Sequence, residues 1–303
     1  MRGLVLALAF GALDVGCVRT SLVDARVAEA RDSEGALDTI HDYEIGEVGM
    51  KARVAELEGL YAASSGDSRV SLLLARAWCK LSYEFTLDAY EQALESGDAP
   101  AASYHQLRAR AGFQRAQFYA DAWLERRAPG FGAALRDPAA LPGWLGRQIA
   151  SADAAEALLW AGLARIADVD KTGTVAPDAS QLGALLLAQS IALDAKAASG
   201  LGHVGLALAA ARGPAADLPL VERELALAEA AARGRLLVPL LRARSLACPR
   251  HDRPSFEREL LRVLDESDPD PTLRLENAAA KRRARRYLTS SVVGAECFDP
   301  HKG

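Results

Sequence analysis

Aromatic residues are scarce in this chain, 6% of 303 positions, while half of all residues are hydrophobic and alanine dominates them. A sheet packed around large aromatics is thereby the less suited arrangement. Small side chains let helix backbones approach closely, which suits stacked helical hairpins. No charge of one sign prevails: 36 Lys+Arg stand against 40 Asp+Glu, a net charge of −4 that does not suggest nucleic-acid binding. Cysteine is sparse, with Cys17, Cys79, Cys248 and Cys297 forming no CxxC pair. If Cys17 has a separate fate, three remain, an odd number that argues against a disulfide scaffold. No alternating strand pattern is present, so the expected class is all-α. P-loop, dinucleotide, Ser-His-Asp and paired-acid motifs are also missing, so neither an enzyme nor a cofactor is expected.

What the chain does have is one pattern written twice. Residues 221–230 read V-E-R-E-L-A-L-A-E-A, and residues 256–265 read F-E-R-E-L-L-R-V-L-D. The copies lie about 35 residues apart, and a fainter one occupies residues 185–194. Helical runs at 201–212 and 236–247 separate them. The same punctuation recurs in Asp217-Leu-Pro219, Asp252-Arg-Pro254 and Asp270-Pro271, an Asp cap with Pro in the first turn. Two helices per repeat of this length is the tetratricopeptide (TPR) pattern. The expected fold is a TPR-like helical-hairpin solenoid, an α-α superhelix, with Leu225 and Leu260 at equivalent buried positions.

The first 17 residues have the form of an export signal. Arg2 supplies the positive end, and residues 3–13 are an apolar run too short to span a bilayer. The ending L-D-V-G-C resembles the lipobox of bacterial lipoproteins, with Asp14 where Leu is usual, and makes Cys17 the candidate lipidation site. A plain cleaved signal and a mis-called start or buried helix are the alternatives. The expected organisation is a signal peptide at 1–17, a tether with short helices at 18–46, a TPR-like domain at 47–290 and a loose tail at 291–303.

Within the domain, helices are expected at 47–63, as one unbroken run at 69–95, and at 101–127. Pro138, Pro142 and Gly143 break residues 131–148 into short turns. A helix follows at 153–167, with Asp153 as cap and Glu156 at the capping-box position. A closing helix covers 271–289.

Three constellations have a chemical reading beside a plain one. Asp168, Asp170, Thr172 and Gly173 resemble the start of an EF-hand loop, but its twelfth position is Ala179, so a solvated connector is expected. Cys248 and His251 have C-x-x-H spacing without a second ligand pair, so no metal is expected. Lys281, Arg282, Arg283, Arg285 and Arg286 form a basic strip, read as a solvated outer face capping the array.

The ordered series L-L-L-A-R-A-W (72–78), A-L-L-W-A-G-L-A-R-I (157–166), G-L-G-H-V-G-L-A (200–207), D-R-P-S-F-E-R-E-L-L-R-V-L (252–264) and D-P-D-P-T-L-R-L-E-N-A-A-A-K-R-R-A-R-R-Y-L (268–288) resembles the TatT family. These are the TPR-type T-components of TRAP (tripartite ATP-independent periplasmic) transporters. Leu163 and Ala164 stand where that family more often shows aromatics, which points to a smaller aromatic pocket here. The resemblance implies a non-enzymatic protein of the periplasm, lipid-anchored to the outer membrane. It would dock a TRAP substrate-binding protein, with or without its ligand. It also implies a homo-oligomer, a trimer being one arrangement. A scaffold for another envelope complex, without solute contact, is the alternative. Solenoids bind on their concave face, and Tyr83, Trp160 and His203 are the candidate binding residues, each bringing a large or polar group to an Ala- and Leu-rich surface.

Overall fold

Aspartates start five of the helices. Asp42, Asp67, Asp98, Asp217 and Asp252 each accept a hydrogen bond from a backbone N–H in the first turn, meeting donors that have no partner within the helix. In a computed structural model describing residues 23–168, 177–212 and 216–299, the chain is helical throughout, and no strand occurs among the described residues. Residues 23–32 form α1. There follow α2 (Tyr43–Ala63), α3 (Ser68–Lys80), α4 (Leu87–Ser96), α5 (Ala99–Arg127), α6 (Phe131–Ala134), α7 (Leu141–Gln148) and α8 (Ala155–Ala167). The second half contains α9 (Pro177–Leu193), α10 (Leu201–Ala210), α11 (Leu218–Ala231), α12 (Leu237–Arg242), α13 (Arg253–Asp265), α14 (Arg274–Thr289) and α15 (Ser291–Phe298).

Most boundaries fall close to expectation, with two local corrections. Asp153 does not cap α8: a 3-10 turn, Ala152–Ala154, runs directly into the helix, and the cap residue is Ala154. Glu156 instead accepts from Trp160 Nε1 at 3.0 Å. The run at 69–95 is not one α-helix either. A π-helical stretch, Leu81–Thr86, separates α3 from α4, and a second, Ala243–Ala247, extends α12. Each changes which side chains point inward relative to a regular helix. The first is accommodated by Gly112 on α5, where a Cβ would lie 2.0 Å from Ser82 Oγ.

Neighbours in sequence are neighbours in space, from α2 on α3 through to α13 on α14. Val221, Leu225, Phe256 and Leu260 are all buried, so the two copies of the repeat present the same face to the core. Their buried residues belong to a second apolar cluster spanning 204–297, distinct from a larger one built mainly from residues 27–187.

The chain also closes on itself. In an open solenoid each unit touches only its neighbours, yet here α14 meets α2 and the 3-10 turn Leu37–Thr39, while α15 meets α4. Leu275 of α14 is buried in the first cluster, seated where a Cβ on Gly46 of α2 would lie 2.2 Å from its Cδ1.

The basic strip makes this closure, which corrects the expectation of a solvated face. Arg283 is only 4% exposed. Arg282 Nε lies 2.9 Å from Asp88 Oδ2, Arg283 Nε 3.5 Å from Asp88 Oδ1, and Arg286 also pairs with Asp88. Arg286 reaches Glu91 at 2.5 Å and Glu95 at 2.9 Å, and the Tyr287 hydroxyl donates to Glu91 at 2.6 Å. Of the five basic residues, only Arg285 remains exposed.

Through residue 299 the expected loose tail is a packed helix. Ser290 caps α15, and Cys297 is bonded to Cys248. Among the described residues the remaining thiol, Cys79, is buried, and burial pushes it up to about 12. The odd cysteine is therefore a core residue beside one bridge. A bridge across 49 residues adds ~4 kcal/mol in the chain-entropy view.

Burial works against the Asp88 charge, but Arg283 and Arg286 outweigh it and hold the carboxyl below the usual range. Its contribution to stability is therefore present above the unfolded value of about 4 and lost as pH falls through the lower folded value. Asp88→Asn should cost about 3–5 kcal/mol in urea unfolding near neutral pH, because it leaves buried arginines short of a counter-charge. A loss below about 1 kcal/mol, typical of surface pairs, would contradict a buried clamp.

Candidate functional site

Closing the array leaves a cavity in its middle. The wider chamber, about 740 Å³, takes its wall from α1, α3, α8 and α14, with Arg31, Arg76, Trp160 and Glu276 among the lining residues. A narrower chamber of about 60 Å³ is lined by Tyr83, Glu84, Trp160, Leu163 and Val204, among others. Lys80, Trp160, Leu201 and Glu276 line both, so the chambers adjoin.

Tyr83 and Trp160 meet at the narrow chamber. Tyr83 comes from the π-helical stretch, and its ring carries the Arg283 guanidinium at 5.0 Å. Arg283 also donates to the Tyr83 carbonyl at 2.6 Å, so the closing helix braces this wall. Burial raises the Tyr83 hydroxyl above its ordinary range. Trp160 is 3% exposed, which lets it face a chamber but offers little to a docking protein. His203 lines neither chamber. Its Nδ1 lies 2.7 Å from Glu224 Oε2 on α11, and Glu224 also takes Arg223 at 2.8 Å. Leu163 lines the narrow chamber directly.

The charged residues at the junction were not singled out from sequence. Asp38 is buried and pairs with both Arg76 and Lys80. Arg76 reaches Glu34 at 3.3 Å, Lys80 reaches Glu84 at 3.4 Å, and Arg235 pairs with Glu276. One signal was available: Glu84 falls on the same helical stripe as the buried Val70, Ala77 and Leu81. Burial pushes the Glu84 carboxyl up to about 7, with Glu276 and Asp38 adding to the rise and Lys80 opposing it. Burial also disfavours the Lys80 ammonium, but Glu84 and Asp38 outweigh it and hold it charged.

The other candidates resolve into structural roles. Asp168 ends α8 with Arg110 Nε 3.6 Å away, and residues 169–176, the rest of the calcium-like loop, lie outside the described residues. Cys248 is committed to its bridge, and His251 Nδ1 lies 2.6 Å from the Cys297 carbonyl oxygen. Among the described residues, no group of His, Cys, Asp and Glu could hold a metal ion. No described helix is long and apolar enough to cross a membrane. Cys17 lies outside the described residues.

A buried acid with a raised value opposes folding once it ionises. The cost is absent below the unfolded value, grows as pH rises toward about 7, and is complete above it. Glu84→Gln, neutral at every pH, should therefore be more stable than the parent by about 3 kcal/mol at pH ~9 and by less than about 1 kcal/mol at pH ~5. Urea unfolding at both values measures this. A variant less stable than the parent at the higher pH would show that the Glu84 charge supports the fold.

The sequence profile of TAtT, the TRAP transporter T-component, matches residues 40–292, a span reaching from just before α2 into α15. No curated protein gives a significant match.

Proposed function

The chain belongs to the TRAP transporter T-component family, and we propose that it serves such a transporter by docking a periplasmic substrate-binding protein at the mouth of its central cavity. The family is one of transporter components rather than enzymes. In this reading the protein does no bond-breaking chemistry. It sits in the periplasm, held to the outer membrane by lipid on Cys17, works as a homo-oligomer, and stacks its hairpins in the TPR manner.

The observation that carries the reading is the family match over residues 40–292 together with a cavity whose wall is drawn mostly from that span, from α3 to α14. Two features support it. A Cys248–Cys297 bridge suits an oxidising compartment. The wide chamber's mouth exposes Arg31, Asp153, Asp194 and Lys196, and rim charges of both signs orient an approaching partner. Trp160 and Tyr83 lie deeper and would meet a solute rather than the partner.

Calorimetric titration with a TRAP substrate-binding protein of the same organism should show association. Lys196→Glu should slow the on-rate several-fold and change its salt dependence, since rim charges act mainly on encounter. Absence of binding, or a Lys196→Glu rate equal to the parent at low salt, would reject docking at this mouth.

Anchoring is tested separately. Expressed with its leader in a bacterium, the protein should fractionate with membranes and incorporate labelled fatty acid. Cys17→Ser should release it and abolish labelling. Identical fractionation of the two would reject the anchor.

A further inference from the structure

We propose that the narrow chamber recognises a primary ammonium group carried on a small apolar body, with Glu84 and Glu276 as its acceptors. The proposal rests on reading the cavity as a solute chamber and requires nothing of the docking partner.

The first observation is a pair of unmet acceptors. Glu84 is 4% exposed and lines the narrow chamber, yet its Oε2 has no hydrogen-bond partner. Glu276 lines both chambers, and its Oε1 is also buried without a partner. Buried polar atoms are nearly always paired, so two orphaned carboxylate oxygens beside one chamber call for a donor. Lys80, the cation lining this chamber, already serves Asp38 and the other oxygen of Glu84.

The second observation is the charge balance. A connected chain of ion pairs at the junction holds the carboxylates of Glu34, Asp38 and Glu84 against the cations of Arg76 and Lys80, and Arg235 with Glu276 is a separate, balanced pair. The excess is one negative charge. Like-charge pressure from Glu276 and Asp38 adds to burial in raising Glu84. A cation between Glu84 and Glu276 would relieve both. An anion would meet the same carboxylates unpaired, at the high cost of a buried unpartnered charge.

The third is the rest of the lining. Tyr83 and Trp160 share the chamber with the two acids, and aromatic rings attract cations as well as apolar groups. A chamber of about 60 Å³ admits a head group of a few heavy atoms. Two waiting acceptors favour a head with N–H donors over a quaternary one. Leu163, Leu201 and Val204 provide contacts for short alkyl carbon, and the wide chamber can hold any remainder.

The test uses the protein alone, so its failure leaves the docking result untouched. n-Butylammonium chloride, sodium butyrate and 1-butanol are titrated separately at about pH 8, where Glu84 is ionised. Butylammonium should bind at least tenfold more tightly than either control. Glu84→Gln, which mimics the protonated acid, should reduce butylammonium binding to the level of butanol, and Glu276→Gln should act in the same direction. If either substitution unfolds the chain, the three-ligand comparison on the parent protein decides alone. Equal binding of butyrate or butanol overturns the proposal, as does no binding by butylammonium. Unchanged butylammonium binding in folded Glu84→Gln overturns it too.

Discussion

The structure depends on one buried carboxylate. Asp88, 1% exposed, is the point where Arg282, Arg283 and Arg286 of the closing helix meet α4, and the Tyr43 hydroxyl of α2 donates to it at 3.1 Å. Taking these charges out of water is costly, and the cost is recovered only when several charge-assisted bonds converge. Arginine suits the task because its planar fork can address Asp88, Glu91 and Glu95 at once while its face lies on a ring. Arg282 does so over Tyr43 at 4.5 Å and Arg283 over Tyr83 at 5.0 Å. Helices whose own contacts are largely with sequence neighbours are thereby held in a closed arrangement.

Closure and cavity share their parts. Arg283 grips Asp88 on one side and the Tyr83 carbonyl and ring on the other, so the residue that shuts the array also sets the wall of the narrow chamber. Glu276, earlier on the same helix, reaches the junction and pairs with Arg235. The π-helical stretch matters equally. It places Tyr83 and Glu84 within one turn that lines the chamber, while Phe85 stays fully buried behind them. Loosening α14 would therefore disturb the chamber as well as the fold.

How much of this could be read from sequence follows from the range of each interaction. Caps, breakers and helical stripes are local, and Asp98, Asp217 and Asp252 act as their spacing indicates. The repeat was legible because Val221 and Phe256 keep the same register with their leucines. Size and setting put Tyr83, Trp160 and His203 together on a concave face; Tyr83 and Trp160 line the narrow chamber, whereas His203 lines neither chamber and pairs with Glu224 on another helix, which its sequence setting does not reveal. The arginine strip reads the same whether water or Asp88 faces it, and the carboxylates that decide the matter lie almost two hundred residues earlier. Cys248 and Cys297 have the same difficulty, since a count of cysteines does not pair them. The π-helical stretches carry no composition that marks them off from the helices they interrupt.

The cavity persists because the molecule is not built on a single core. Its buried apolar residues fall into two clusters, and Tyr83, Leu201 and Leu208 are packed against both. Those same three residues line the narrow chamber. Had large apolar side chains joined the two halves across the middle, their interdigitation would have filled the space, since protein interiors pack densely. Here the halves are joined in part by ion pairs, where α14 crosses α2 and α4. Such contacts fix the separation of two helices without requiring that everything between them be filled. The scarcity of aromatics acts in the same direction, because Leu163 and Val204 leave room at the wall that larger rings would occupy. An interior that is alanine-rich within each half and held together by charge between the halves can therefore keep a chamber at its centre, apolar in most of its wall with a few charged groups.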